Sequence, residues 1–145
     1  MTNEETINNQ ARALWYIDMD WYQQNKRSLA TLARDCLCPK CARQLTAERK
    51  DIPADTLLAT IKDCCSHSPG FIDEGLPILE SVFRLFLANG NQPLNLEELG
   101  RQLGERRSSD TYRTSTEILS RLLKKDEYYG LREVQDQSNQ ANALS

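Results

Sequence analysis

Ligands that bind soft metal ions are concentrated in two short clusters of this sequence. All five cysteines and the only histidine of the 145-residue chain lie within Cys36–Cys41 and Cys64–His67. Thiolate sulfur and imidazole nitrogen are the ligands that proteins most often offer to zinc. An odd number of cysteines also fits poorly with a set of disulfides. The two clusters therefore predict a metal site that joins two parts of the chain.

The spacing within each cluster favours a closed, structural site. Cys38 and Cys41 form a C-x-x-C pair, in which a tight turn can aim both sulfurs at one ion. Cys64 and His67 form a C-x-x-H pair, and the 22 positions of residues 42–63 separate the two pairs. That separation lies near the usual range for zinc sites built from two pairs. We predict Zn²⁺ held by Cys38, Cys41, Cys64 and His67.

Two neighbouring cysteines leave the ligand set open. Cys65 can take the place of Cys64, and Cys36 can take the place of any ligand. An iron–sulfur cluster is the alternative cofactor, because Cys36, Cys38 and Cys41 with one cysteine of the second cluster supply four thiolates. Free buried cysteines beside a core histidine are the alternative that needs no metal.

Two predicted helices carry the chain into these clusters. Ser28 is a good N-cap for a helix that ends near Leu37. A second helix over Pro53–Cys65 has an apolar stripe that includes Leu57 and Ile61. Because these helices share little apolar surface, a metal at their ends would contribute its binding free energy to folding. Residues 28–75 are therefore predicted to form a zinc-binding helical segment.

An aromatic segment precedes the cysteines. Leu14, Ile17 and Trp21 follow the 3/4 spacing of an amphipathic helix ending near Asn25, so residues 1–27 are predicted as an N-terminal aromatic helix. The dense aromatic run Trp15–Tyr22 indicates a core or interdomain anchor. Its alternative role is a face for a protein partner or for a homodimer.

The second half of the chain predicts three helices and a strand. The first helix begins at Pro77 and ends at Asn89-Gly90, and the second is capped by Asn95 and closed by Gly104. Thr114, with Glu117 three residues later, predicts the cap of a third helix. A strand is expected within Tyr128–Val134, followed by a disordered tail over residues 135–145. The fold class is therefore mainly α.

The order of these elements resembles a winged helix-turn-helix domain over residues 77–134. Residues 96–104 and 114–123 are similar to the second and third helices of many such domains. The resemblance implies that the third helix enters the major groove of DNA. It also implies that the residues of this helix facing the DNA are Ser115, Thr116, Ser120, Arg121 and Lys124. The residues implied to contact phosphates are Arg106, Arg107 and Arg113.

The resulting expectation is a winged-helix-like three-helix domain with a short β element (residues 76–134), placed after helices clamped by the Cys/His site. The function expected is a zinc-containing, DNA-binding regulator of transcription. A non-enzymatic adaptor with structural zinc and a thiol- or metal-based redox sensor are the alternatives. The net charge of −3 means that any DNA contact must come from a local basic patch.

Other classes find little support in the residues. No phosphate-binding glycine loop and no Ser–His–Asp set are visible, so an enzyme is not expected. No apolar run approaches the roughly 20 residues that span a bilayer, so a membrane is not an expected partner. The polar, acidic N-terminus lacks the features of a signal peptide, and we expect a cytoplasmic protein.

Overall fold

The computed structural model describes residues 12–48, 52–107 and 114–134. In chain order these residues form β1 (Leu14–Ile17), α1 (Met19–Gln24), α2 (Leu29–Arg34), α3 (Pro39–Glu48), α4 (Ala54–Asp63), a 3₁₀ turn (Cys65–His67), α5 (Ile78–Ala88), β2 (Leu94–Asn95), α6 (Leu96–Arg107), α7 (Thr116–Lys124) and β3 (Leu131–Glu133). The prediction of a mainly helical fold is confirmed. None of the described helices is long and apolar enough to cross a membrane.

The three strands form one small antiparallel sheet in the order β2-β1-β3. Trp15 lies opposite Leu94 on one side and Glu133 on the other, and Ile17 lies opposite Leu131. The first strand of the chain is therefore the central strand, between two strands from the second half. The N-terminal segment is therefore joined to the unit that contains α5–α7, because β1 pairs with both strands of that unit.

The helix predicted to begin near Leu14 is wrong in its first part. Leu14–Ile17 is a strand, in which Trp15 and Ile17 face inward while Leu14 remains 43% exposed. Short apolar segments satisfy both a 3/4 and an alternating pattern, and here two distant partner strands decide in favour of the strand. Asp18 then starts the short helix α1, because its side chain accepts a hydrogen bond from the Asp20 amide at 3.0 Å.

Two of the predicted helix caps are confirmed and one is shifted. Ser28 Oγ accepts a hydrogen bond from the Thr31 amide at 3.2 Å, and Asn95 Oδ1 accepts one from the Glu98 amide at 2.8 Å. The cap of α7 is Ser115, one residue later than predicted, since Ser115 Oγ accepts from the Ile118 amide at 3.3 Å. Thr114 is buried instead.

Helix α6 continues beyond Gly104, where the sequence predicted its end. An interior glycine costs a helix only about 1 kcal/mol relative to alanine. Buried Leu103 and buried Arg107 lie on either side of the glycine, so packing of the last turn outweighs that cost. Residues 105–107 are therefore helical, whereas residues 108–113 and the predicted disordered tail lie outside the described residues.

The core has two connected parts. Helix α5 supplies more of the larger part than any other element and packs against α6, β1 and α4. The larger part contains Ile17, Val82, Phe83, Leu85, Phe86, Leu99, Leu103, Leu119, Leu123 and Leu131. The smaller part lies among α2, α4 and the cysteines and includes Ala33, Leu57 and Ile61. Because α5 also contacts the 3₁₀ turn, one helix links the apolar core to the cysteine region.

Candidate metal centre

Four cysteines lie at the ends of adjacent structural elements. Cys38 directly precedes α3 and Cys41 lies in the first turn of that helix, while Cys64 ends α4 and Cys65 begins the 3₁₀ turn. Proline at position 39 suits the first position of a helix, since its φ is already helical and its missing N–H needs no partner there. Packing of α2 on α4 then brings the two cysteine pairs together.

The sulfur atoms of Cys38, Cys41 and Cys64 all lie within 4.8 Å of one another. The Cys41 and Cys64 sulfurs are 3.4 Å apart. Tetrahedral zinc with Zn–S bonds of about 2.3 Å places neighbouring sulfurs about 3.8 Å apart, so this spacing suits one shared ion. All five cysteines are free thiols in the described structure. Three cysteines are thus close enough to bind a metal ion.

Backbone groups around Cys38 favour its thiolate form. The backbone N–H of Cys41 is the main cause that lowers the pKa of Cys38 to about 7. Both residues lie at the N-terminus of the ten-residue helix α3, where the helix dipole also favours negative charge. Burial disfavours the thiolate form of the other cysteines. It raises the pKa of Cys41 and of Cys65, and it raises the pKa of Cys36 to about 11.

Two predicted or alternative ligands lie apart from the three clustered sulfurs. His67 is exposed, and its backbone N–H donates to the Cys64 carbonyl at 3.1 Å. Its ring is not part of the group of metal-binding atoms found in the described residues. Cys36 is buried, and its thiol donates to the Leu32 carbonyl at 3.6 Å. The structure thus brings together three of the four predicted ligands.

Arg107, predicted to contact phosphate, is instead a buried structural residue. Its side chain is 0% exposed and donates to the carbonyls of Asp73, Glu74 and Leu76 at 2.6–3.2 Å. It also donates to Ser81 Oγ at 2.9 Å. The prediction of a phosphate contact is therefore wrong for this residue. Its spacing from Leu103, four residues earlier on the apolar face of α6, was the sequence signal for burial.

The neighbouring Arg106 is exposed but has a partner within the chain. Its guanidinium donates to the carbonyl of Ser66 at 3.2 Å. Ser66 is buried and follows Cys65 directly in the 3₁₀ turn, and its hydroxyl donates to the Lys62 carbonyl at 2.7 Å. The sequence contained no signal for this contact, because the two residues are 40 positions apart.

The remaining predicted DNA-contacting residues lie on α7 or just before it. Leu119 and Leu123 are buried, while Thr116, Arg121 and Lys124 are exposed on the opposite face. Ser120 is half-buried, and so is Ser115, whose side chain caps the helix. Arg121 lies 3.8 Å from Glu117, and both side chains are well exposed. Arg113 lies outside the described residues.

The aromatic segment is part of the core. Trp15, Trp21 and Tyr22 are 4–7% exposed, and Tyr22 donates its hydroxyl hydrogen to the Tyr129 carbonyl at 2.5 Å. Burial and the negative charge of Asp126 raise the pKa of Tyr22 well above its usual value. The sequence allowed a partner or homodimer face on this segment. Because Trp15, Trp21 and Tyr22 are buried, these three side chains cannot form such a face.

Comparison with known proteins adds no relationship to these observations. The sequence matches no protein-family model, no curated protein and no solved structure.

Proposed function

We propose that this protein is a DNA-binding regulator stabilised by a structural Zn²⁺ ion, with α7 as the helix that enters the major groove. The observation that carries the DNA-binding part is the two-sided character of α7. Its buried face holds Leu119 and Leu123, and its outer face carries Thr116, Arg121 and Lys124. A helix attached firmly on one side and basic on the other suits groove binding.

The order of elements supports the same proposal. A winged helix-turn-helix domain contains three helices and a small antiparallel sheet, and α5, β2, α6, α7 and β3 follow that order along this chain. The sheet also contains β1, which pairs with both β2 and β3. In this proposal, β1 takes the place of a strand that other winged-helix domains would supply after β3.

The distribution of charge makes a local basic surface the relevant feature. The whole chain carries −3, so attraction to DNA must come from a limited area. Arg121, Lys124 and Lys125 are exposed in the last two turns of α7 and just after it. Arg132 lines a groove of the protein surface with Lys124, Asp18 and Glu133, but its guanidinium donates to the Asp126 and Leu131 carbonyls. Arg121, Lys124 and Lys125 would contact phosphates beside the DNA groove that α7 enters.

Zinc is the metal that the donor set favours. Thiolates are soft ligands, and a tight cluster of cysteine sulfurs at two helix ends is typical of structural zinc sites. The metal would hold α3 and α4 together and would neutralise thiolates that otherwise repel one another. Elemental analysis of protein purified without added metal should find about one zinc per chain; iron with sulfide would instead support an iron–sulfur cluster.

A mobility-shift assay across salt concentrations tests DNA binding. The variant R121A/K124A should weaken binding to every DNA sequence and should reduce the slope of log affinity against log salt by about 2. The control R43A/K62A removes two exposed cations from α3 and α4 and should change neither quantity. Absence of salt-dependent binding by the natural sequence at low salt, or equal losses in the two variants, would overturn the proposal.

A further inference from the structure

Cys65, which the group of three sulfurs leaves out, lies beside one of its members. The backbone N–H of Cys38 donates to the Cys65 sulfur at 3.2 Å. Cys65 also directly follows Cys64, whose sulfur is 3.4 Å from that of Cys41. A fourth sulfur is therefore next to the group of three.

The surroundings of Cys65 resemble those of a metal ligand more closely than the surroundings of His67 do. Cys65 is fully buried, and the backbone N–H of Cys38 donates to its sulfur at 3.2 Å. Backbone N–H groups bonded to sulfur orient metal-binding thiolates and stabilise their charge. His67 lies two residues later in the same 3₁₀ turn, on the exposed side of the chain.

We propose that Cys65 is the fourth ligand, so that Cys38, Cys41, Cys64 and Cys65 form a four-thiolate site from which His67 and Cys36 are excluded. This proposal rests on the proposed zinc. The side chain of Cys64 is exposed and has room to rotate. Its sulfur can therefore approach that of Cys65 without a change in the buried Cys65. Binding releases the protons of the thiols, and the filled site has no open position for catalysis.

The proposal is tested by measuring Zn²⁺ affinity in competition with a chelator. Cys65→Ser should weaken binding by more than about 100-fold, beyond the loss seen when only a supporting residue is removed. His67→Gln and Cys36→Ser are matched controls within a few residues of the site, and each should stay within about twofold of the natural sequence. A loss in His67→Gln as large as that in Cys65→Ser would overturn the proposal.

A measurement on the natural sequence covers the case in which Cys65→Ser fails to fold. The cadmium-113 NMR shift of the Cd²⁺-loaded protein distinguishes four sulfur ligands from three sulfurs and one nitrogen. A four-sulfur shift that persists in Cys36→Ser supports Cys65, whereas a signal with one nitrogen, or loss of the four-sulfur shift in Cys36→Ser, overturns the proposal. If the natural sequence binds neither Zn²⁺ nor Cd²⁺, the proposed zinc itself is wrong, which is a separate result.

The end of α6 is attached to the segment that follows the cysteines. Arg106 is bonded to the Ser66 carbonyl next to Cys65, and Arg107 is bonded to carbonyls of residues 73–76. Two consecutive arginines thus connect the last turn of α6 to residues 66–76. These contacts link the C-terminal end of α6 to the cysteine region.

The start of α7 is in turn held close to α6. A Cβ atom placed on Gly100 would lie 2.5 Å from the carbonyl oxygen of Thr114, so the two backbones touch at this point. Leu119 packs over the same glycine. A displacement of α6 would therefore move or loosen the beginning of α7.

We infer that metal occupancy is communicated to α7 through Ser66 and Arg106. A bound metal would order the 3₁₀ turn, and the ordered turn would keep the Arg106–Ser66 hydrogen bond in place. Helix α6 would then keep α7 in position through the contact at Gly100. Without the metal, the amides of α7 would be less protected from hydrogen exchange. Because such coupling is reciprocal, DNA that binds the ordered α7 would raise the affinity for zinc by the same factor.

Hydrogen exchange without DNA tests this inference separately from DNA binding. In the natural sequence, removing Zn²⁺ should speed exchange of the amides of Leu119–Leu123 by about tenfold. In Arg106→Met these amides should exchange rapidly even with Zn²⁺ bound, so the effect of the metal should shrink. Arg101→Met is the control, because Arg101 is on the same helix but is bonded to Glu98 and Glu105.

Two results would overturn the coupling. One is an exchange rate of Leu119–Leu123 that does not respond to zinc in the natural sequence, although zinc is bound. The other is an equal response to zinc in Arg106→Met and Arg101→Met. Either result leaves DNA binding itself untouched, since that is decided by the salt-dependent assay.

Discussion

The cysteine region, residues 28–75, and the unit formed by α5–α7 with the three strands are held together by different interactions. The second unit has a continuous core, with Phe83 and Phe86 of α5 completely enclosed. The cysteine region buries fewer large apolar side chains, namely Ile52, Leu57, Ile61, Phe71 and Ile72. Its helix α2 has only six residues. A helix that short depends on tertiary contacts for its stability.

This difference is consistent with the proposed metal site. Burying apolar surface contributes about 25 cal/mol per Å², and the cysteine region buries fewer large side chains than the other unit. A metal ion can replace that missing contribution, because its ligands are not preorganised in the unfolded chain. Apart from α7, whose ordering we infer to be coupled to the metal, the larger core needs no such help. We therefore expect the two regions to respond differently to metal removal and to mutation.

The largest effect should follow metal removal. Chelation, or the variant C38S/C41S, should destabilise the cysteine region by at least about 5 kcal/mol, since structural zinc contributes its binding free energy to folding. Hydrogen exchange should show loss of protection in α2–α4 first, while Leu79–Leu87 of α5 stays protected. A uniform loss of protection along the chain would show that the two regions are a single cooperative unit.

The next largest effect should come from Arg107, whose hydrogen bonds tie residues 73–76 to α6. Arg107→Met removes the donor to the carbonyls of Asp73, Glu74 and Leu76 and to Ser81, and it should lower the free energy of unfolding by about 3–5 kcal/mol in urea denaturation. The control Arg106→Met should lower it by less than about 1 kcal/mol. Equal losses would contradict the contrast between a buried and an exposed arginine.

Two glycines of α6 should respond in opposite directions. Gly100→Ala places a Cβ 2.5 Å from the Thr114 carbonyl oxygen and should destabilise the protein by about 2–3 kcal/mol. The nearest atom to a Cβ on Gly104 lies at 4.0 Å, so Gly104→Ala should stabilise the helix by about 0.5–1 kcal/mol. Thermal unfolding of the two variants tests whether α6 and α7 touch as closely as the structure shows.

The smallest effect concerns the attachment of β1 to the larger unit. Asn91 accepts a hydrogen bond from the Ile17 amide at 2.8 Å and donates one to the Ile17 carbonyl at 2.9 Å. Asn91→Gly keeps the positive φ of 62° but removes both bonds, so it should cost about 1–2 kcal/mol. Gln92→Ala, on the neighbouring residue, should stay within about 0.5 kcal/mol. If Asn91→Gly were equally neutral, β1 would be held by its strand pairing alone.

Several features were predictable because their causes are local. Ser28 and Asn95 cap helices by bonding amides three residues away, and these starts were confirmed. The end of α5 at Asn89-Gly90 was also predictable, since glycine adopts the positive φ of 74° found there without strain. The clustering of cysteines likewise indicated a metal site, because residue type and spacing are enough to suggest shared ligation.

Other features depended on residues far away in the chain. Leu14–Ile17 is a strand because β2 and β3 pair with it, and those partners lie in the second half. Arg107 is buried because carbonyls of residues 73–76 accept hydrogen bonds from both of its terminal nitrogens, which offsets part of the cost of desolvating an interior arginine. Neither partner set can be inferred from the periodicity of the segment itself.

The sequence alone determined the mainly helical character of this protein, most helix starts and the concentration of metal-binding residues at two helix ends. These follow from capping, periodicity and residue type, which act over a few positions. Only the tertiary structure decided which sulfurs meet, because Cys41 and Cys64 are 23 positions apart in the chain. It also decided that the exposed Arg106 donates a hydrogen bond to the Ser66 carbonyl, since that contact joins residues 40 positions apart.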